Sequence, residues 1–438
     1  MAISDDIFVW FFAFVFLYYT FLFFVSKRPA GHRVATYDNW GFVILIPGHN
    51  EAMVIEDTVR RAMALTANIH IVVIDDGSDD GTGDIAERIG NERVHVLRRV
   101  LPNAVKGKGE ALNHAYHFVG AQYREWFPRI SDSNIVITVL DADGYLDPHL
   151  FDYIAGMLER NPRLGGIQTP VTIRSPESSL WLRMQDLEFV GFSGFVQQAR
   201  HWFSSIGLGG NGQFIRATAL QKLGTKPWSP ALSEDLDIGI RLLLQGERLG
   251  FCNLGFVHQQ GLTKLRPLLK QRTRWVQGHY QAWKYIPQIW KSRTLGLFTK
   301  LDLTLYLTLV SSVFIVLLNL GITFAASAGF LSVGSSLMGT LYNFSPYVAR
   351  LSEILLSIGP ALLFAATYNK LSRSKIPFTS WPAIIVIFCA YGWIWVYASI
   401  KALTRLAKKQ NNWVKTERIQ MTDTVTTIQP SNAITRVQ

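Results

Sequence analysis

The chain has 438 residues, 49% of them hydrophobic and 13% aromatic, with a formal charge of +11 and only two cysteines. Cys252 and Cys389 alone exclude a disulfide framework and a cysteine-based metal site, and they fit a reducing compartment for the soluble part. The positive balance points to an anionic partner; the basic residues flank apolar runs, so acidic lipid explains them more simply than nucleic acid.

Ile7 to Val25 is an apolar and aromatic run long enough to cross a bilayer. A signal peptide carries its basic flank before a shorter core. Here Asp5 and Asp6 precede the run and Lys27, Arg28, His32 and Arg33 follow it, which predicts an uncleaved span with its N-terminus outside.

From Trp40 to about Asn161, short apolar runs at Phe42–Ile46, Ile69–Ile74, Val94–Leu97 and Ile135–Leu140 alternate with helical stretches. The alternation predicts βαβ units and a mostly parallel sheet, with ligands beyond the carboxyl ends of its strands. Every strand except the third runs straight into polar residues: Pro47-Gly48-His49-Asn50-Glu51, then Asp75-Asp76-Gly77-Ser78, then Asp141-Ala142-Asp143. Two carboxylates two residues apart at a strand mouth repel each other and lose solvation, which a hard divalent cation sharing substrate phosphates would relieve. Taken alone, the pair reads equally well as a turn. Asp76 to Glu87 also matches the spacing of an EF-hand loop, but it follows a strand and has Gly83 at its eighth position, so the calcium reading is set aside. Asp75 or Asp76 suits a base N–H, and Lys108 suits a diphosphate, whereas Lys106 reads as a solvated loop residue.

Spaced aromatics from Ser175 to Phe203 predict a helix lying against protein or membrane. Gly207 to Gly212 is glycine-rich, and Ser233-Glu234-Asp235 sits at a helix start, where the residues are either caps or a general base facing an acceptor hydroxyl. Leu262 to Trp290 interleaves Lys and Arg with Trp and Tyr, the pattern of a helix at headgroup level. Beyond Leu301 come apolar stretches to about Leu341, at Ile354–Tyr368 and at Pro382–Ile400, best counted as four spans. That count keeps the basic tail inside and puts Lys370, Arg373 and Lys375 outside.

In this order, Pro47-Gly48-His49-Asn50-Glu51, Asp75-Asp76-Gly77-Ser78, Lys108 with Leu112-Asn113, Asp141-Ala142-Asp143, Gly210-Asn211-Gly212, Ser233-Glu234-Asp235 and Gln271-Arg272-Thr273-Arg274-Trp275 resemble the membrane-embedded processive glycosyltransferases of family 2. That group contains the cellulose, chitin, hyaluronan and mannan synthases, and the glycine-rich motif is nearer the mannan and bacterial exopolysaccharide types. The resemblance implies an α/β fold, a Rossmann-like GT-A domain embedded between transmembrane helices. It also implies an organisation of helix and basic flank (1–37), cytosolic catalytic domain (38–261), interfacial segment (262–300), spans (301–400) and cytosolic tail (401–438). Pro47, Asn50, Glu51, Asp75 and Asp76 would surround the donor base, with Glu51 and Asp76 on uracil. Lys108 and Asp141/Asp143, with Mg²⁺ or Mn²⁺, would hold the diphosphate, and Asp235, beside Glu234, would be the base. Gly210, Asn211, Gly212, Gln271, Arg274 and Trp275 would take the leaving diphosphate and the acceptor sugar. Trp413, Lys415, Thr416 and Arg418 resemble a gating loop.

The expected reaction is inverting transfer of glucose or N-acetylglucosamine from a UDP-sugar to a growing β-linked polysaccharide, with export through the plasma (inner) membrane and room for an export partner subunit. Transfer of one sugar to a lipid acceptor is the nearer alternative, and a non-catalytic membrane protein the remoter one.

Overall fold

The computed structural model describes residues 6–28, 37–309 and 346–410. Its main sheet contains β1 (Gly41–Gly48), β2 (Ile69–Asp76), β3 (Val94–Arg99), β4 (Ile135–Val139), β6 (Leu164–Gln168), β8 (Gln213–Arg216) and β9 (Arg248–Phe251), in the order β3-β2-β1-β4-β8-β6-β9. β8 runs antiparallel to both its neighbours and the other pairs are parallel. β1, β2 and β4 are apolar runs buried on both faces, as a covered parallel sheet requires. A small second sheet joins β5 (Tyr145–Leu146), β10 (Val257–Gln259) and β7 (Val171–Ile173).

The helices, in chain order, are α1 (Asp6–Val25), α2 (Ile55–Met63), α3 (Thr82–Arg88), α4 (Lys108–Trp126), α5 (Leu150–Arg160), α6 (Leu180–Gly191), α7 (Gln198–Phe203), α8 (Ala217–Gln221), α9 (Glu234–Leu244), α10 (Leu265–Ala282), α11 (Ile286–Lys291), α12 (Leu297–Leu309), α13 (Pro346–Leu371), α14 (Trp381–Tyr391) and α15 (Trp393–Ala407). A π-helical turn, Phe192–Gln197, joins α6 to α7 in the stretch read as one helix from its aromatics.

On one face of the sheet, Val43, Leu45, Val72, Ile74 and Val139 pack under α4 and α9, and the same cluster takes in Ala282, Tyr285, Ile289 and Leu303. The core therefore runs past residue 261 into α10, α11 and α12. The other face is covered by α2 and α5. α1 lies against the π-helical turn and α7 through Leu22, Phe195 and Ala199. A buried ion pair strengthens that junction: Arg200 Nε donates to Asp302 Oδ2 at 2.8 Å, and the Tyr18 hydroxyl donates to Asp302 Oδ1 at 2.8 Å.

Two expectations change. The third strand does end in polar residues, because it continues through Arg98 to Arg99, which faces Asp76 across the β2–β3 register. The turn carrying Lys370, Arg373 and Lys375, placed on the far side by the charge count, is seated on the catalytic domain. Ser374 Oγ donates to Glu177 Oε2 at 2.9 Å, Asn369 bonds both backbone groups of Ile376, and the Tyr368 hydroxyl donates to buried Asp186 at 2.9 Å.

Among the described residues, one helical run, Phe378–Ala407, is long and apolar enough to cross a membrane, and Ala13–Val25 is a shorter apolar helix. The longer run breaks at Gly392, and its two halves pack on α6 and α10 through Tyr391, Ile394, Ala398 and Ala402. The stretch read as one or two spans up to Leu341 and the tail motif at Trp413, Lys415, Thr416 and Arg418 lie almost wholly outside the described residues.

Candidate functional site

Parallel pairing sets the ends of β1, β2 and β4 side by side, with Gly48 opposite Asp75 and Leu45 opposite Val139. The loops that follow are stitched to one another. Asn50, in the left-handed region at φ 57°, donates its amide to Ser78 Oγ at 2.9 Å and accepts from the Asp79 amide at 2.9 Å. Glu51, buried, donates its amide to Thr82 Oγ1 at 2.8 Å, and Ala52 donates to Asp80 Oδ2 at 2.9 Å. Asp75 accepts the Ser78 amide at 3.0 Å, so its carboxylate shapes the turn. Pro47 lies within β1 just before this loop.

Asp76 meets Arg99 Nη1 at 2.5 Å with both side chains nearly buried. Burial raises the Asp76 carboxyl above its ordinary value, and the guanidinium opposes that without cancelling it. Arg99, which no motif marks, joins this edge through its place at the end of the strand beside β2.

The centre of the edge is Lys108, the first residue of α4. Its Nζ donates to Asp141 Oδ1 at 2.6 Å and to the Gly210 carbonyl at 3.0 Å, and lies 3.8 Å from Glu234 Oε1. α4 reaches this position because Gly109 leaves no Cβ to strike the Ser229 carbonyl. Burial by itself lowers the Lys108 ammonium, yet Asp141, Glu234 and Asp235 hold it above its usual value. Glu234 is 4% exposed, and burial together with the neighbouring Asp235 charge pushes its carboxyl well above the usual range, against Lys108 and Arg274.

Asn211 and Gly212 shape the same turn. Asn211 Oδ1 accepts the Asp141 amide at 3.2 Å, and the Gly212 amide donates to the Val139 carbonyl at 3.0 Å. Asp143 is 2% exposed and accepts the Gln260 amide at 3.1 Å. Asp141 and Asp143 offer hard oxygen donors from one short loop, and no group of three or more metal-ligating side chains occurs among the described residues. That donor set fits Mg²⁺ or Mn²⁺ taking its other ligands from phosphate and water. Binding there must share or displace the Lys108–Asp141 contact.

Asp235, the second residue of α9 and half-buried, lies across Gly210 from Lys108. A Cβ at Gly210 would stand 3.1 Å from Lys108 Nζ and 3.2 Å from Asp235 Oδ2, so the glycine lets the backbone come close to both side chains. Gly278 plays the same part for α10, since a Cβ there would collide with Ser233. Arg274 donates to the Leu232 carbonyl at 3.3 Å, tying α10 to the loop before Asp235. Trp275 lies partly exposed beside Phe189, and Gln271 accepts from Arg272 at 2.7 Å.

The carboxyl edge thus gathers Asp141, Glu234 and Asp235 around one ammonium, that of Lys108. With a single reversed strand inside an otherwise parallel sheet, the architecture is the mixed α/β, GT-A-like fold of nucleotide-sugar transferases. The chain belongs to the family described as Glycosyltransferase like family 2, which matches residues 40–278, and it transfers a sugar from a nucleotide-sugar donor. It is 26% identical over 396 residues to a probable glycosyltransferase YdaM of Bacillus subtilis, covering 86% of each chain. It is 26% identical over 394 residues to a beta-monoglucosyldiacylglycerol synthase of Synechocystis, covering 85% of this chain and 74% of that one. It is 25% identical over 245 residues to a poly-beta-1,6-N-acetyl-D-glucosamine synthase of Staphylococcus aureus, covering 55% of each.

Proposed function

We propose that the chain is an inverting, metal-dependent polysaccharide synthase that moves glucose or N-acetylglucosamine from a UDP-sugar onto a growing β-linked chain. It would sit in the plasma (inner) membrane with its catalytic domain in the cytoplasm, and the apolar helices at both ends would pass the product outward. The observation that carries the reading is the convergence of Asp235 and Lys108 on Gly210, with Lys108 bonded to Asp141.

Asp235 takes the proton of an acceptor hydroxyl as the hydroxyl oxygen attacks the anomeric carbon. The bond from that carbon to the diphosphate breaks, UDP leaves, and an α-linked donor yields a β-linked product. Lys108, held also by the Gly210 carbonyl, supplies positive charge to the departing diphosphate. Asp141 and Asp143 hold Mg²⁺ or Mn²⁺, which supplies further charge neutralisation. Glu51 and Asp76 receive the uracil, with Arg99 orienting Asp76. Trp275 offers its ring to the face of the acceptor sugar, and Arg274 holds the loop that leads to Asp235.

A second reading, transfer of one sugar to a lipid, draws support from the glucosyldiacylglycerol synthase relative, whose similarity spans 85% of this chain. Membranes containing the full chain, given UDP-glucose or UDP-N-acetylglucosamine with Mg²⁺ or Mn²⁺, separate the two: a product excluded from a sizing column supports the synthase, and an organic-extractable glycolipid supports the second reading. In the same assay Asp235→Asn is expected to abolish transfer and keep UDP binding. Wild-type turnover in that variant would remove Asp235 as the base.

A further inference from the structure

The segment Gln271 to Trp275 holds a second arginine, Arg272, that the mechanism does not use. It is 0% exposed, and its partners come from three separate elements. Nη1 donates to Gln271 Oε1 at 2.7 Å within α10; Nη2 donates to Glu188 Oε2 of α6 at 2.6 Å and to the Tyr391 hydroxyl of α14 at 3.2 Å. Tyr391 in turn donates to the same Glu188 oxygen at 2.6 Å. The guanidinium carbon lies 4.2 Å from the centre of the Trp275 ring, 5.4 Å from that of Trp395 on α15 and 5.5 Å from that of Phe189. Phe189 meets Trp275 edge-on at 5.9 Å, and Trp395 approaches Trp275 at 6.4 Å.

A charge buried this deeply is costly, and apolar side chains of similar volume would join the helices equally well. What a guanidinium adds is a flat fork whose donors have fixed directions and whose face stacks on an aromatic ring. The fork is fixed by Glu188 and Tyr391, and the face is laid on Trp275. The ring's orientation is thus set by groups outside its own helix, two of which, Tyr391 and Trp395, belong to the C-terminal helices.

We propose that Arg272 is a positioning residue of the acceptor site: it orients Trp275, and through Tyr391 and Trp395 it makes that orientation depend on α14 and α15 being docked. The inference rests on Trp275 as the platform for the acceptor sugar. The C-terminal helices then act on the site from behind the ring, without touching donor or acceptor. Arginine is required over lysine, because an ammonium has no plane to lay on the indole and no fork to span Glu188 and Tyr391.

The test uses the purified full chain in lipid nanodiscs, with UDP-glucose and cellobiose in one series and UDP-N-acetylglucosamine and chitobiose in the other. Arg272→Lys and Arg272→Met are expected to raise the disaccharide KM about 100-fold, and Tyr391→Phe about tenfold, with the donor KM changed by less than about twofold. Trp275→Ala reports on the platform itself and should raise the same KM. If Trp275→Ala raises the disaccharide KM while Arg272→Lys and Tyr391→Phe leave it unchanged, the positioning role is overturned and the platform stands. No effect of Trp275→Ala overturns the platform. Equal changes in donor and disaccharide KM would reduce Arg272 to a structural tie. Tyr391→Phe removes one hydroxyl only, so it carries the test if the arginine variants do not fold.

Discussion

Replacing Lys108 with methionine keeps an unbranched side chain one atom shorter and removes its charge. The ammonium makes hydrogen bonds at 2.6 Å to Asp141 and 3.0 Å to the Gly210 carbonyl, and stands 3.8 Å from Glu234. A charge-assisted bond such as the first is worth about 1.5–3 kcal/mol net. The gross attraction of a pair near 4 Å is about 4 kcal/mol at an effective dielectric constant of about 20, which caps what the Glu234 contact adds. Without the ammonium, Asp141, Glu234 and Asp235 lose the positive charge they share. Losing one fixed group that stabilises a departing anion costs about 10²–10³ in rate, so kcat/KM for the donor should fall by about 2.7–4 kcal/mol in free-energy terms. The assay is the initial rate of UDP release from the full chain in nanodiscs over a range of donor concentrations. Lys108→Arg, which keeps the charge but alters its shape, should lose less. A Lys108→Met enzyme within about threefold of wild type, where tenfold is about 1.4 kcal/mol, would refute the reasoning.

Asp302→Leu should destabilise the protein by about 3–5 kcal/mol, because it leaves the buried Arg200 charge without its carboxylate, whereas Tyr18→Phe removes one hydrogen bond and should cost about 1 kcal/mol. Unfolding midpoints in nanodiscs check this, and equal losses would sink it. Burial first, then His95 and Arg93, lower the His70 imidazole from 6.5 to about 4. Because the native state takes up its proton later than the unfolded chain, the stability this provides is complete above about pH 6.5 and drains away as the pH falls toward 4. His70→Phe should flatten the denaturant midpoint over that window, and an unchanged slope would contradict it.

The parts of the site set by a single strand end were legible in the residues. Parallel strands carry their carboxyl ends to one edge, so Glu51, Asp76 and Asp141 had to meet once the alternation was read correctly. Lys108 and Asp235 belong to helices, and only their motifs marked them. Contacts made across registers or between distant helices left no local trace. Arg99 reaches Asp76 through strand pairing, and Arg272 finds Glu188 and Tyr391 some 84 and 119 positions away. The contacts of the turn at Lys370 to Lys375 escaped charge counting for the same reason: Asn369, Ser374 and Tyr368 tie it to Ile376, Glu177 and Asp186.

Asp186 is wholly buried and accepts from Thr172, from the Ile173 amide and from the hydroxyl of Tyr368 on α13. A fragment ending before that helix would keep the anion and lose one of its donors, along with the apolar cover that Tyr368 and Ile376 give Leu187 and Leu268. The catalytic part thus draws a buried hydrogen bond and apolar cover from α13. Efforts to make a smaller soluble version by trimming the apolar C-terminal helices should yield aggregates, and exchanging those helices between relatives should succeed only when the partners on α6 travel with them.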